Sequence, residues 1–508
     1  MIIVYHKNNQ VESVFDCNTQ LTLDYQEKYA VTVLMQLAST FQDRVLVWCQ
    51  SDQKEYLNAE AVRSSLHLKN RMVSFSPTLY LPPQIGYVED SPFIKVNTKV
   101  TYPTWQMSGL VGAMYGFQLL KFKDVLHKGS LDYTLNSIAK LGMPHGLFCY
   151  SDPKLLVKAD FSAKQANSFT LFKFVKQHYK ARWVFLLALN YMLHEKKIML
   201  LPLLRSLFYR KKKFNNNIGI ESSKPTTDEP LPTIDVIIPT IGREHYVYDV
   251  FRDLALQTHL PKHVIVVEQN PDTNAKTNLD FIDNDSWPFK VVHHFIHQTG
   301  VCNARNLALK EVNSEYVYLA DDDNKFGKDL IKNALEYIKY FDLDVISMSY
   351  LQQGEVERKQ QPLQWPTFGA GCSIMKSKYL ERVSFNMALE FGYGEDVDFG
   401  MQLRNLGIDI IYVPDIKILH LKASIGGFRS TFKQPWSNDE IQPKPSPTIM
   451  LYKISNNTKY QLLGYKTVLL INYYFRQKIK NPIRYYKLFK KQWQQSMFWA
   501  NQLKKSHT

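Results

Sequence analysis

Between residues 234 and 324, short apolar runs alternate with segments of helical period, and the last run opens straight into three acids, Asp321, Asp322 and Asp323. The spacing predicts strands at 234–238, 263–268, 290–294 and 316–319, with helices at 246–257 and 303–312. Strands separated by helices of that length build an α/β sheet whose strand ends share one crevice. Pro239, Glu268 and Asp321 stand at such ends. Three carboxylates crowded in a partly buried site repel one another unless a cation shares them. Oxygen clusters of this kind suit Mg²⁺ or Mn²⁺, ions that commonly bridge a diphosphate. The alternative is a solvated acidic turn ahead of a helix starting near Lys328.

At 508 residues the chain exceeds one ordinary core, so two domains with appendages are expected. A hydrophobic content of 45% and an aromatic content of 13% exclude long disorder. The opening residues carry charge where a cleavable signal needs an apolar core. Five scattered cysteines (Cys17, Cys49, Cys149, Cys302 and Cys372) lack metal-ligand spacing and suit a reduced, cytoplasmic setting. The longest apolar run, 183–193, falls short of the roughly 20 residues that span a bilayer. A second run, 198–209, is broken by Pro202 and Arg205, and a basic stretch, 210–213, follows it. The two runs form either a buried helical hairpin or a pair of segments lying along a membrane surface.

The net charge of +15 is concentrated at the carboxyl end, where residues 441–508 hold thirteen Lys and Arg and no acid. Tyr485, Phe489, Trp493 and Met497 recur every four residues there, flanked by Arg484, Lys487, Lys490 and Lys491. An aromatic helix face edged with positive charge predicts a helix on an anionic membrane surface, in preference to nucleic acid. A plain solvated helix is the third use of the same pattern. The protein is thus expected at the inner face of the membrane, peripherally attached through this tail.

Composition shifts divide the chain into an N-terminal α/β domain (1–160), a helical connector (161–213), a linker rich in Asn, Ser, Thr and Pro (214–232), an α/β domain (233–435) and a basic helical tail (436–508). Two N-terminal segments echo the second domain. Residues 45–52 resemble 264–272, and Tyr102-Pro-Thr-Trp (102–105) resembles Trp365-Pro-Thr-Phe (365–368). On that pairing residues 1–160 are a silent, degenerate copy lacking the stretch that bears the triple Asp.

Several motifs occur in order within 233–424. They are Val-Ile-Ile-Pro-Thr (236–240) with Arg243, Val-Ile-Val-Val-Glu (264–268), Gly-Val-Cys-Asn-Ala-Arg-Asn (300–306) and the Asp triplet. Phe-Gly-Ala-Gly-Cys-Ser (368–373), Gly-Tyr-Gly-Glu-Asp-Val-Asp-Phe (392–399) and His420 follow. This series resembles a family 2 glycosyltransferase of the GT-A fold, of the cell-surface polysaccharide type. The resemblance implies that Pro239, Thr240, Arg243, Glu268, Arg305, Asp321 and Asp322 hold the nucleotide. Most members carry Asp where Glu268 stands. It further implies Asp321, Asp323 and His420 as ligands of Mn²⁺ or Mg²⁺, which neutralises the departing diphosphate.

An acceptor hydroxyl needs a base as it attacks. Asp396 is expected in that role, with Glu395 positioning the acceptor or shifting the base's pKa. Alternatively Glu395, Asp396 and Asp398 form an acidic helix start after Gly394. The reaction the resemblance implies is inverting transfer from a nucleotide sugar, a UDP-sugar by family habit, to a glycan or lipid-linked acceptor. A metal-dependent nucleotidyltransferase and a catalytically dead sugar-binding scaffold are the competing readings.

Overall fold

The computed structural model describes residues 1–126, 129–158, 165–223, 229–423 and 432–506. Among them, two mixed sheets account for all named strands. The first contains β1 (Ile2–Lys7), β2 (Gln10–Asp16), β3 (Leu21–Thr22), β4 (Val45–Gln50), β5 (Arg71–Phe75), β6 (Tyr102–Pro103), β7 (Val111–Tyr115) and β8 (Phe148–Ser151), in the order β3-β2-β1-β4-β7-β5-β8-β6. The second contains β9 (Ile234–Thr240), β10 (His263–Gln269), β11 (Lys290–Ile296), β12 (Tyr316–Ala320), β13 (Asn324–Lys325), β14 (Val345–Gln352), β15 (Leu363–Gln364), β16 (Cys372–Lys376) and β17 (Ile411–His420). Its order is β11-β10-β9-β12-β16-β14-β17-β13, with β15 also paired to β17.

Every element predicted between 234 and 319 is present, displaced at its ends by at most two residues. β9, β10 and β12 pair in parallel and are buried almost throughout, which their unbroken Val and Ile content requires. Val247, Val250, Phe251 and Leu254 of the helix Glu244–Ala255 cover one face of this sheet. Ala304 and Ala308 of Val301–Lys310 cover the other. Both helices begin beyond the carboxyl ends of parallel strands, so their first turns face the crevice where β9 and β12 stop.

The two sheets share a plan. The path β1-β4-β7-β5-β8-β6 repeats β9-β12-β16-β14-β17-β15 in chain order and in the parallel or antiparallel sense of every pairing. Finer contacts recur as well. Thr104 N donates to Cys149 O at 2.9 Å and Trp365 N to Ile410 O at 2.8 Å, both partners displaced by the same 261 positions (104 to 365, 149 to 410). An α/β copy is therefore present, but the pairing expected from sequence is corrected. β4 takes the place of β12, not of β10, because β4 lies between a parallel first strand and an antiparallel β7, as β12 lies between β9 and β16. The parallel β10–β11 arm is what the first sheet lacks. Its place is held by the antiparallel hairpin β1–β2.

The stretch after the connector does not run free. Phe214 stacks on Phe122 with ring centroids 4.2 Å apart, and Ile218 N donates to His145 O at 2.8 Å. Segments from both halves meet through polar contacts: Gln364 bonds both backbone groups of Cys149, at 2.6 and 3.2 Å.

The tail is corrected in a second respect. Pro447–Asn456, Lys459–Arg476 and Pro482–Ser506 are helices, as expected of the carboxyl end. Tyr485, Phe489 and Trp493, however, are buried, in a cluster with Met450, Leu451, Leu469 and Leu389. The stripe is a helix-packing face, and the basic side of the helix meets solvent together with Ile483, Tyr486 and Phe498. The tail also ties the two halves together: Lys453 pairs with Asp90 at 2.7 Å and Gln461 donates to Ser91 O at 2.9 Å. Replacing Phe489, which is 1% exposed, by Ala is expected to cost about 3–5 kcal/mol. Lys487→Ala should stay within about 0.5 kcal/mol of the parent. Denaturant unfolding of the two variants checks both. Equal stability would show that the stripe does not hold the tail in place.

Candidate active site

Each acid of the triplet already has its own partners inside the protein. Asp321 accepts from Arg305 Nη2 at 2.9 Å and from the Tyr350 hydroxyl at 3.2 Å. Asp322 accepts from Thr240 Oγ1 at 2.7 Å and from Arg243 Nη1 at 2.6 Å. Asp323 accepts from Ala423 N at 2.9 Å and faces His420 Nε2 at 3.4 Å. The crowding that sequence alone assigned to a shared external cation is relieved in the fold by two guanidinium groups and an imidazole. Burial pushes the Asp322 carboxyl up to about 6, against the pull of Arg243. Burial also acts to raise Asp323, but the His420 and Ala423 hydrogen bonds outweigh it and hold that carboxyl low. His420 is held above the usual imidazole range, first by its bond to Asp323.

Asp396 meets this group through Arg305. Its Oδ1 lies 3.5 Å from Arg305 Nη1, while Nη2 of the same guanidinium holds Asp321. The acid at a strand end and the acid in the first turn of Glu395–Asn405 thus face one cleft, although 75 positions separate them (321 to 396). Asp396 Oδ1 is covered and has no hydrogen-bond donor among the described residues, while the side chain as a whole is 40% exposed to the cleft. Burial pushes this carboxyl well above the usual range. Arg305 opposes that, and the neighbouring Glu395 adds to it. Glu395 is raised too, by burial first. Asp398 does other work: it accepts from Asn456 Nδ2 at 2.8 Å and from Gln402 Nε2 at 3.0 Å, fixing the helix to the tail.

The cleft has a volume of about 530 Å³. Pro239, Thr240, Arg243, Arg305, the three triplet acids, Glu395, Asp396 and His420 all line it. Glu268 does not. Its carboxylate accepts from Thr277 Oγ1 at 2.5 Å, from Asn278 N at 3.1 Å and from His293 at 3.0 Å, tying the strand end to the following loop. The next residue, Gln269, lines the cleft instead, because successive side chains of a strand point to opposite faces. Gln269 Oε1 accepts from Gly300 N at 2.6 Å.

Sequence reasoning also missed Glu390. It accepts from Cys302 N at 3.0 Å and Asn303 N at 2.8 Å, capping the helix that carries Arg305. Gly300 makes room for it: φ is +137°, and a Cβ there would lie 2.5 Å from the Glu390 carboxyl carbon. Gly371 similarly lets Asp321 lie against the backbone of the Gly-rich segment, where any Cβ would overlap its carboxylate.

A divalent ion finds a limited donor set. No group of three or more His, Cys, Asp and Glu is gathered as a metal cage among the described residues. Asp321 is committed through both oxygens to Arg305 and Tyr350, away from the ligand role expected of it. Asp323 and His420 remain as a carboxylate and an imidazole facing the cleft together. Such a pair fits an ion that takes few protein ligands and completes its shell with phosphate oxygens and water.

Residues 235–392 match the family model for glycosyl transferase family 2. The chain is 28% identical over 113 residues to the poly(ribitol-phosphate) β-N-acetylglucosaminyltransferase TarS of Staphylococcus aureus, covering 22% of this chain but only 20% of TarS. It is 18% identical over 234 residues to the glycosyltransferase GlyG of Streptococcus pneumoniae, covering 41% of this chain and 77% of that protein. The crystal structure of S. aureus TarS 1–349 superposes on 52% of this chain and 91% of its own, at 18% identity and a TM-score of 0.36. The family match begins at β9 and ends just short of Glu395, so it takes in β9 to β12, the Asp triplet and the Gly-rich segment of the cleft. Residues 235–392 are a glycosyl transferase family 2 domain set within a longer chain.

Proposed function

We propose that this chain moves a sugar from a nucleotide-sugar donor to a hydroxyl of a glycan or lipid-linked acceptor in cell-surface polysaccharide synthesis, with inversion at the anomeric carbon. The observation that carries the reading is Arg305, which holds the strand-end Asp321 and the helix-start Asp396 at one cleft. The name of TarS, a transferase acting on poly(ribitol-phosphate), supports a surface polymer as acceptor. UDP is the nucleotide the family resemblance favours.

Asp396 is the base in this proposal. Its carboxylate, 40% exposed to the cleft, takes the proton of the acceptor hydroxyl as that oxygen attacks the anomeric carbon and the bond to the diphosphate breaks. The raised pKa suits the task, because a base protonates usefully only when its affinity for a proton lies near the working pH. Arg243 and Arg305 line the cleft with positive charge where the departing diphosphate becomes more negative. Asp323 and His420 would hold Mn²⁺ or Mg²⁺, which supplies further charge neutralisation to that leaving group. Thr240 and Arg243 each donate to Asp322 and hold it in place, and Pro239 lines the cleft beside them.

The first test is product identity. Purified protein with Mn²⁺ and a panel of nucleotide sugars should release nucleoside diphosphate from one donor. Pyrophosphate release would instead indicate a nucleotidyltransferase, and no release at all a binding scaffold.

Two variants probe the assigned roles. Asp396→Asn should lower kcat about 10²–10⁴-fold with donor affinity kept. A kcat within threefold of the parent, or so, would remove Asp396 from proton transfer. The acid limb of kcat/KM should lie above the ordinary carboxylate range, since the base must lose its proton to act. Glu395→Gln deletes a charge that raises the Asp396 pKa, so it should move that limb to lower pH. For the metal, Asp323→Ala should abolish Mn²⁺-dependent binding of nucleoside diphosphate in calorimetry, and unchanged affinity would take Asp323 out of the ion's shell.

A further inference from the structure

The connector holds two helices that leave large apolar side chains in solvent, although Val184, Leu187 and, in part, Leu203 pack inward. In Leu200–Leu207 the residues facing the protein are Pro202 and Ser206, the latter 1% exposed. Leu200, Leu201, Leu204, Leu207 and the following Phe208 face solvent, with Leu201 70% and Phe208 88% exposed. Their spacing of i, i+1, i+4, i+7 and i+8 places them on one side of the helix. The preceding helix, Arg182–Asn190, continues through the π-turn Tyr191–Glu195 and repeats the pattern with Phe185, Met192 and Leu193. Ile198, 83% exposed, stands in the turn between the two. A surface helix ordinarily buries its leucines and shows its polar side. A continuous apolar surface of this kind marks a binding face.

The charge around it selects the partner. Residues 180–213 hold nine Lys and Arg against one acid, Glu195. That acid accepts from Gln84 and from the Tyr87 hydroxyl, each at 3.1 Å, through one oxygen and pairs with Lys197 at 3.2 Å through the other. Lys196, Lys197, Arg205 and Arg210 are exposed beside the apolar side chains. A second copy bound isologously would bring this positive rim against itself. An anionic lipid surface takes the leucines and phenylalanines into its interface and satisfies the rim with headgroup charge.

Arg182–Glu195 and Leu200–Leu207 are about 20 and 12 Å long, both short of the roughly 30 Å hydrocarbon layer. Among the described residues no helix is long and apolar enough to cross a membrane. The segment therefore lies in the plane of the interface.

We propose that residues 182–208 are an in-plane anchor that seats the protein on anionic lipid, in place of the aromatic stripe of the tail. This rests on the exposure of the connector and is independent of the reaction assigned above. The test is flotation of the full chain with vesicles of phosphatidylglycerol and phosphatidylethanolamine, and with vesicles of phosphatidylcholine alone. The protein should float with the anionic vesicles only. The double variant Leu201→Glu, Phe208→Glu changes two solvent-facing side chains and should reduce that partition about tenfold or more. Its melting temperature should stay at the parent's value. Lys487→Ala, Lys490→Ala and Lys491→Ala together should leave flotation unchanged. The proposal is overturned by undiminished flotation of the Leu201/Phe208 variant, by equal binding to phosphatidylcholine, or by a parent protein that floats with neither vesicle. Light scattering that shows a parent dimer dissolved by the same two substitutions would assign the face to a second copy instead.

Discussion

A guanidinium taken almost out of water is the constraint around which the second domain is built. Arg305 is 5% exposed, and a buried charge of this kind costs several kcal/mol unless it is paired with good geometry. Its partners come from two distant parts of the chain, Asp321 at the end of β12 and Asp396 at the start of a helix. Removing either one leaves Arg305 a single carboxylate, and loss of both leaves an uncompensated charge, which costs about 3–5 kcal/mol in comparable buried pairs. The pairing therefore fixes the separation of the strand-end acid and the helix-start acid across the cleft without help from any ligand. Glu390 completes the arrangement from behind, by anchoring the amino end of the helix on which Arg305 rides.

The first domain shows what the same sheet becomes without that charge network. Counting along the matched strands β4 and β12 sets Gln50, Ser51 and Asp52 where the second domain has Asp321, Asp322 and Asp323. The helix Ala30–Thr40 ahead of β4 carries no arginine, and its inner face is Val33, Leu34 and Leu37. Leu110 occupies the place of Gly371 and is 1% exposed. One feature persists. Asp132, in the first turn of Leu131–Gly142, accepts from Gly109 N at 2.7 Å, as the Asp396 carboxylate accepts from Ala370 N. The strand plan is thus separable from the chemistry: one copy packs its crevice with apolar side chains and the other keeps it open and charged.

What the sequence disclosed follows from the kind of signal each feature carries. The strands and helices of 234–319 were legible because uninterrupted Val and Ile runs and helical periods report local burial directly. The convergence of the triplet, Arg305, Asp396 and His420 was legible through motif order. The facing of Glu268 was not, since a one-residue step along a strand end decides which of Glu268 and Gln269 meets the cleft. The duplicated sheet was sensed but misaligned, because similarity of short strands cannot tell β10 from β12 when hydrogen-bond partners are unknown. The tail misled for a related reason. A stripe of Tyr485, Phe489 and Trp493 requires an apolar partner, but the pattern does not say whether lipid or the helix Pro447–Asn456 supplies it. The connector gave the complementary case: its apolar runs read equally as a buried hairpin or as segments along a membrane surface, and the structure leaves Leu200, Leu201, Leu204 and Leu207 in solvent.

The buried tail has a consequence for catalysis that a detachable membrane tether would not. Thr448 Oγ1 accepts from Tyr393 N at 3.1 Å, and its side chain fills the space beside Gly392 that any Cβ would need. Asn456 holds Asp398, two residues beyond the proposed base. The loop leading into Glu395 and Asp396 is therefore braced by the first tail helix, which is in turn packed under Phe489 and Trp493. A brace on the residues just before a helix start sets where that start points, and an error of about 1 Å in a reacting group can cost on the order of 10²-fold in rate. The thirteen positive charges of the carboxyl end thus ride on a segment whose inner side braces the loop before Glu395 and Asp396. On the proposed reaction, loss of the tail is expected to lower turnover itself, whatever surface the protein occupies.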